Sequence, residues 1–228
     1  MSEIELLRRL AEAAARHAPF DGWSEKAFAA AARDCGISEA EARLAAPRGA
    51  PDLAAAFHRA ADAEMLRRLG GADLSRLKFR ERVAWAVRLR LEIVARDREA
   101  VRRAAAFYAL PTHAAEGAKL VWETCDAIWT ALGDASRDYN WHTKRLTLMG
   151  VYGATLLVWL NDESEDQAET WAFLDRRIEE VMQVEKLKAS ARRNPAARLL
   201  LTGPRLALSF LKAPSGRAAP PAGSWPGA

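Results

Sequence analysis

An all-α protein is predicted by three observations. Ala, Leu, Arg and Glu dominate the 228 residues, and these are strong helix formers. The alternation of β-branched residues that half-buried strands require is absent. Apolar residues instead recur at helical spacing in successive segments, set off by Ser, Gly and Pro.

The elements follow in chain order. A first helix is predicted over about 3–17, with Pro19-Phe20-Asp21-Gly22 as a turn. Ser24 caps a second helix through about Cys35, which Gly36 stops. Ser38 caps a short third element, Glu39–Ala45, ended by Pro47. A fourth helix spans about Pro51–Leu69, before Gly70-Gly71. Leu77–Ala95 is long and basic, with Val83, Val87, Leu91 and Val94 on one face. Arg98–Leu110 ends at Pro111. Gly117–Leu132 carries Val121, Trp122, Cys125, Ile128, Trp129 and Leu132 on one stripe, and Gly133 stops it. Leu146–Leu160, 15 residues, lies in the longest uncharged run (146–161, 16 residues), too short for a membrane span of roughly 20 residues, and is apolar all round. It is expected to be the central helix, with Gly150 and Gly153 allowing close backbone approach or leaving room for a ligand. Ser164 and Gln167 are expected to form a capping box for a helix buried through Trp171, Leu174, Ile178, Val181 and Met182.

In the last helix, after Asn194-Pro195, Arg198, Thr202, Arg205, Ser209 and Lys212 fall in a stripe about 80° wide. Leu199, Leu200, Leu201, Leu206, Leu208, Phe210 and Leu211 fill the rest, with a kink expected at Gly203-Pro204. A narrow basic stripe with a broad apolar face suits the membrane interface; burial in an oligomer groove is the rival reading. The low-complexity end, Ala213–Ala228, is expected to be disordered. The predicted organisation is a helix-turn-helix-like head (1–72), a helical ligand-binding and dimerisation domain (73–190), an amphipathic membrane-interacting helix (194–212) and a tail (213–228).

Charge is segregated behind a net +4. Residues 1–75 are net −2, 76–110 are +6, 111–185 are −8, and 186–228, with eight bases and no acid, are +8. A DNA-reading helix should be basic and polar. The corresponding segment here, Ser38–Ala46, holds two glutamates and one arginine, so DNA binding is not expected. Two cysteines cannot make a disulfide framework or a zinc site. The four histidines lie in no metal signature, and nucleophile-elbow and phosphate-loop motifs are missing. No enzyme chemistry, metal or cofactor is therefore expected. The acidic run Asp162, Glu163, Glu165, Asp166 reads as helix capping and solvation. Of eight tryptophans, Trp85, Trp122, Trp129, Trp159 and Trp171 lie on helical stripes and serve either as core or as the lining of a cavity for a long apolar ligand. Trp141 sits among charges, placed either to anchor an interface or to cap the core.

The stretch DYNWHTKRLTLMGVYGATLLVWLNDESEDQAETWAFLDRRIEEVM (Asp138–Met182) resembles the signature region of the coenzyme Q biosynthesis protein nine family. PFDGWSEKAF (Pro19–Phe28) and FRERVAWAVRLRLE (Phe79–Glu92) resemble that family too. The resemblance implies a TetR/FadR-like all-α fold with a degenerate helix-turn-helix head, a homodimer, and a non-enzymatic role in ubiquinone biosynthesis. It implies binding of an isoprenoid quinone or phospholipid in an apolar cavity, for which Trp85, Val121, Trp122, Cys125, Trp129, Leu148, Tyr152 and Leu156 are the candidate lining. It implies membrane engagement through the last helix, here Arg198, Leu199, Leu200, Arg205, Leu206, Phe210, Leu211 and Lys212. It also implies presentation of substrate to the di-iron demethoxyubiquinone hydroxylase through a patch that maps to Asp138, Trp141 and His142, the last replacing a frequent tyrosine. With no Arg/Ser-rich transit stretch before the first helix, a bacterial cytoplasmic protein is expected, peripheral on the inner membrane (the matrix face of a mitochondrion in a eukaryote). The alternative is a TetR-like, lipid-responsive transcription regulator.

Overall fold

The computed structural model describes residues 2–134 and 139–193, with side chains described for 2–134 and 140–183. The expected segments 194–212 and 213–228 lie outside the described residues. Those described form helices and turns only: α1 (Glu3–Asp21), α2 (Glu25–Asp34), α3 (Glu39–Ala45), α4 (Ala50–Gly70), α5 (Phe79–Ile93), α6 (Arg98–Ala109), α7 (Ala114–Ala131), α8 (Tyr139–Asn161) and α9 (Ala168–Arg193). The all-α prediction holds. Short 3₁₀ turns, Ala95–Asp97 and Glu165–Gln167, precede α6 and α9.

The chain divides into two compact units. One comprises Met1–Arg68 with Leu89–Thr124, the other Leu69–Arg88 with Cys125–Ala228. The predicted head and ligand domain divide residues 89–124 differently, placing them with the second block.

In the first unit, α1 packs on α2, α3 and α6. Ser2, Ser24 and Ser38 accept from the backbone N–H three residues on, and Ser38 with Glu41 closes a full capping box. The core is rich in alanine: Ala11, Ala13, Ala14, Ala15 and Ala18 of α1 are buried with Ala27, Ala30, Ala31 and Ala32 of α2, so small side chains let the backbones approach. Phe28, Leu10 and Leu53 add larger volumes, each worth roughly 1.5–3 kcal/mol of burial. Trp23 stacks near Phe57 (5.4 Å) and donates its Nε1–H to Ala100 O (3.0 Å), tying the α1–α2 turn to α6.

A buried polar cluster holds α4 to α5 and α7 in this unit. Arg90 Nε donates to Asp62 Oδ1 (2.6 Å), and its other arm donates to His58 O (3.1 Å). Thr124 Oγ1 lies 2.8 Å from His58 Nε2 and about equally near both Asp62 oxygens (3.1 and 3.0 Å). Burial, reinforced by the nearby Arg90 cation and only partly opposed by Asp62, pushes the His58 imidazole from 6.5 down to about 4.

In the second unit α8 packs on α9. Asp162 closes the connection between them, accepting from the backbone and hydroxyl groups of both Ser164 and Thr170. Burial opposes its ionisation, but these four donors outweigh that cost and hold the carboxyl below its ordinary range.

Four expectations change. α1 continues through Pro19 to Asp21, because a proline in the last turn forfeits one N–H while its φ suits the helix; Gly22, at φ 67°, makes the stop. α8 begins at Tyr139 rather than near Leu146, since the charges of Lys144 and Arg145 are paired inside the fold. The Ser164/Gln167 capping box does not form: Asp166 and Gln167 take left-handed backbone angles, and the Gln167 side chain accepts from Trp159 Nε1 (2.8 Å). α8 is also not buried all round, for Leu146 and Leu157 are mostly exposed.

His58 gives a pH test. Its folded-state pKa lies below its unfolded value, so its contribution is intact above pH 6.5 and falls away as pH drops toward 4. At pH 5 the loss is about 2 kcal/mol. His58→Gln should flatten the fall in unfolding free energy between pH 7 and 5, measured by chemical denaturation; an equally steep fall in both proteins would refute the assignment.

Candidate functional site

The segment Trp141–Arg145 opens α8 and faces the end of α7 within the second unit. Its centre is Arg145, whose side chain is 1% exposed. Nε donates to Asp126 Oδ1 of α7 (2.6 Å). One terminal nitrogen donates to Asp134 Oδ2 (3.1 Å) and to Trp141 O (3.0 Å). The guanidinium carbon lies 4.0 Å from the centre of the Trp141 ring. The cation therefore meets two carboxylates, a carbonyl and an aromatic face, which is what a buried arginine needs to offset its desolvation.

Lys144 extends the arrangement. Its ammonium donates to Asp134 Oδ1 (2.7 Å) and stands 5.2 Å from the Trp129 ring, while its carbonyl accepts from Trp129 Nε1 (3.2 Å). Phe79 of α5 stacks on that same indole at 5.5 Å. Trp141 and His142 meet edge to face at 4.7 Å, and both remain half-buried. Trp141 thus has one ring face over a buried cation and part of its surface open. Asp138 lies outside the described residues.

The candidate lipid-contacting residues divide between the units. Val121 and Trp122 belong to the first, half-buried on α7. Trp85, Cys125, Trp129, Leu148, Tyr152 and Leu156 belong to the second. There Cys125, Leu148 and Tyr152 are buried, whereas Trp85, Trp129 and Leu156 are half-buried. Cys125 is not in a disulfide. The membrane candidates Arg198, Leu199, Leu200, Arg205, Leu206, Phe210, Leu211 and Lys212 lie outside the described residues. Among those described, no helix is long and apolar enough to cross a membrane.

Sequence reasoning missed Asp126, Asp134 and Arg145, the groups that fix Trp141. The signal was present: Asp126 interrupts the apolar stripe of α7, and Arg145 stands directly before the longest uncharged run.

The fold is that of TetR-type proteins. A TetR transcriptional regulator from Nitrosomonas europaea superposes with a TM-score of 0.62 at 23% identity, over 76% of this chain and 96% of that one. The COQ9 family profile matches residues 114–185, which include the Trp141–Arg145 segment. Mitochondrial ubiquinone biosynthesis protein COQ9 of Rattus norvegicus is 32% identical over 189 residues, 79% of this chain and 60% of that protein. The Bos taurus and Homo sapiens proteins of that name are 32% and 30% identical over 190 residues, 79% of this chain and 59% of each. The chain is thus similar to the COQ9 proteins over about four-fifths of its own length. It spans about 60% of the length of these relatives.

Arg145→Met should remove the buried cation that Asp126 and Asp134 share, leaving Lys144 on Asp134, and cost about 3–5 kcal/mol of stability, read from the denaturation midpoint. A change below about 1 kcal/mol would show that the network does not anchor α8.

Proposed function

We propose that this chain is a non-enzymatic accessory protein of ubiquinone biosynthesis. It binds an isoprenoid quinone intermediate or phospholipid at a membrane surface and presents the quinone to the di-iron demethoxyubiquinone hydroxylase, acting as a homodimer. The observation that carries this reading is the Trp141 ring, held half-exposed over a buried Arg145 in a chain similar to the COQ9 proteins. A rigid aromatic side chain fixed before binding loses little entropy on docking, which is what a good interface anchor requires. His142, packed on its edge, and Asp138, three residues before it, belong to the same proposed surface.

The apolar residues of α7 and α8 supply a greasy interior suited to an isoprenoid tail. Residues 195–212 supply the membrane contact: Leu and Phe side chains enter the interface while Arg198, Arg205 and Lys212 meet anionic headgroups. The curated relatives are named mitochondrial. For this chain we propose the inner membrane of a bacterium, or the matrix face of a mitochondrion, as the surface engaged. The regulator alternative is disfavoured by α3, where Glu39, Ala40, Glu41 and Leu44 are exposed, an acidic and apolar surface where DNA phosphates would require bases.

Trp141→Lys should weaken capture of the hydroxylase roughly tenfold or more in a pull-down while leaving the circular dichroism unchanged. Undiminished capture would remove Trp141 from the interface. In flotation with phosphatidylglycerol-containing liposomes, the full chain should rise with the vesicles and Arg198→Glu/Arg205→Glu should remain below. Equal flotation of both would sink the membrane assignment.

A further inference from the structure

α3 presents an apolar ridge between two carboxylates. Ala42 and Ala45 point inward and are buried, as is Ala46 at the end of the helix. At about 100° per residue, Ala40 and Leu44 then stand in the middle of the outward arc, with Glu39 on one flank and Glu41 on the other. All four are exposed, Leu44 by 76%. Among the described residues the three most exposed large apolar side chains are Phe20, Ile4 and Leu44, and all three belong to the first three helices of the chain.

The ridge is fixed before any partner arrives. The Glu41 carboxylate accepts from the Ser38 backbone N–H (2.9 Å) and from the Ser38 hydroxyl (2.8 Å), bonds that hold it below its ordinary range and keep it charged. Arg43, the only base of α3, is withdrawn to α2, where it pairs with Glu25 and lies 4.5 Å from the centre of the Phe28 ring. Arg48, just after α3, is held by Asp52 and Glu116. The bases nearest in the chain are thus engaged elsewhere, and the ridge keeps its negative charge.

Charge selects the occupant. In a helix-turn-helix reader the corresponding helix lies among DNA phosphates, which Glu39 and Glu41 would repel. An anionic bilayer repels them by the same law. A second copy related by a two-fold axis would set the same carboxylates against each other. A helix whose apolar seam carries lysine or arginine on both sides matches the ridge and both flanks at once, as a/d seams and e/g charges match two helices of a coiled coil.

We propose that the Ala40–Leu44 ridge of α3, flanked by Glu39 and Glu41, is a docking surface for a basic amphipathic helix of a protein partner. The head thus presents its third helix outward as a DNA reader does, but with the opposite charge. This surface lies in the first unit, whereas Trp141 lies in the second, so the proposal does not rest on the quinone or membrane reading.

The probe is a fluorescein-labelled Leu/Lys amphipathic peptide of about 18 residues, long enough to hold a helix, followed by anisotropy against the full chain. Glu39→Lys/Leu44→Ser should raise its Kd about tenfold or more, since an apolar anchor and a charge pair are lost together. Glu163→Lys makes the same change of charge on an exposed residue of the second unit and should alter Kd by less than about twofold. Both variants should keep the native circular dichroism, because the substituted side chains face solvent. Equal weakening by the two variants, or no saturable binding to the native chain, would overturn the proposal. So would equal affinity for a Leu/Glu peptide of the same pattern, which would make the surface merely apolar. Dissociation of a dimer on Leu44→Ser in analytical ultracentrifugation would assign the ridge to a second copy, and duplex DNA binding that Leu44→Ser weakens would assign it to nucleic acid; either result overturns it.

Discussion

A buried guanidinium sets the terms for the second unit. Arg145 has almost no contact with water, and an uncompensated charge there would cost several kcal/mol. Asp126 and Asp134 must therefore both stand within reach, which fixes the register of α8 against the end of α7. The consequences run outward. The guanidinium also takes the carbonyl of Trp141 and lies over its ring, so the indole is oriented from beneath. Lys144 shares Asp134, and its carbonyl holds Trp129, on which Phe79 stacks. A half-exposed aromatic surface is thus positioned by an ion pair that solvent does not reach.

The same logic accounts for the basic block 76–110, which sequence alone left without a role. Arg90 is spent on Asp62, Arg80 on Glu179, and Arg102 and Arg103 both on Glu99. Arg88 lies over the Trp171 ring, and Arg82 donates to the carbonyls of Leu77 and Ser75. These partners lie from 3 to 99 residues away in sequence, so a charge count along the chain registers the excess without its destination. Arg90 and Arg80 thus fasten α5, Arg102 and Arg103 pair within α6 itself, and the net +6 does not by itself mark a surface for nucleic acid.

What could be read from the sequence was local. Ser24 and Ser38 cap where their side chains demand, Gly36 and Gly133 adopt positive φ after their helices, and Val83, Val87, Leu91 and Val94 are all buried. Each depends on neighbours within about one or two turns. The failures needed partners at a distance. The start of α8 was hidden because Lys144 and Arg145 read as a solvated approach until Asp134 and Asp126 are placed beside them. The Ser164/Gln167 box was a sound local motif, yet Trp159, buried on α8, needs an acceptor and takes the Gln167 side chain. Trp171 likewise uses the carbonyl of Asp166. Two indole donors thus account for a turn that the capping pattern would have drawn differently. At the candidate site the residue types were legible, Trp141 and His142 among charges, whereas the cation that orients them was not.

The opposed charges of the last two blocks constrain any surface role. Anionic headgroups attract bases with about 1 kcal/mol each near the bilayer, and they repel carboxylates by the same Coulomb law. On the proposed reading, the 111–185 block, net −8, is repelled by such a surface while the acid-free segment engages it. That orientation keeps the Trp141 surface, which belongs to the acidic block, accessible to a protein partner while the chain is bound to lipid. Within the free chain the two blocks attract each other, and at physiological salt that attraction is felt only within about 8 Å. Segregated charge can thus set which part of the chain meets which surface.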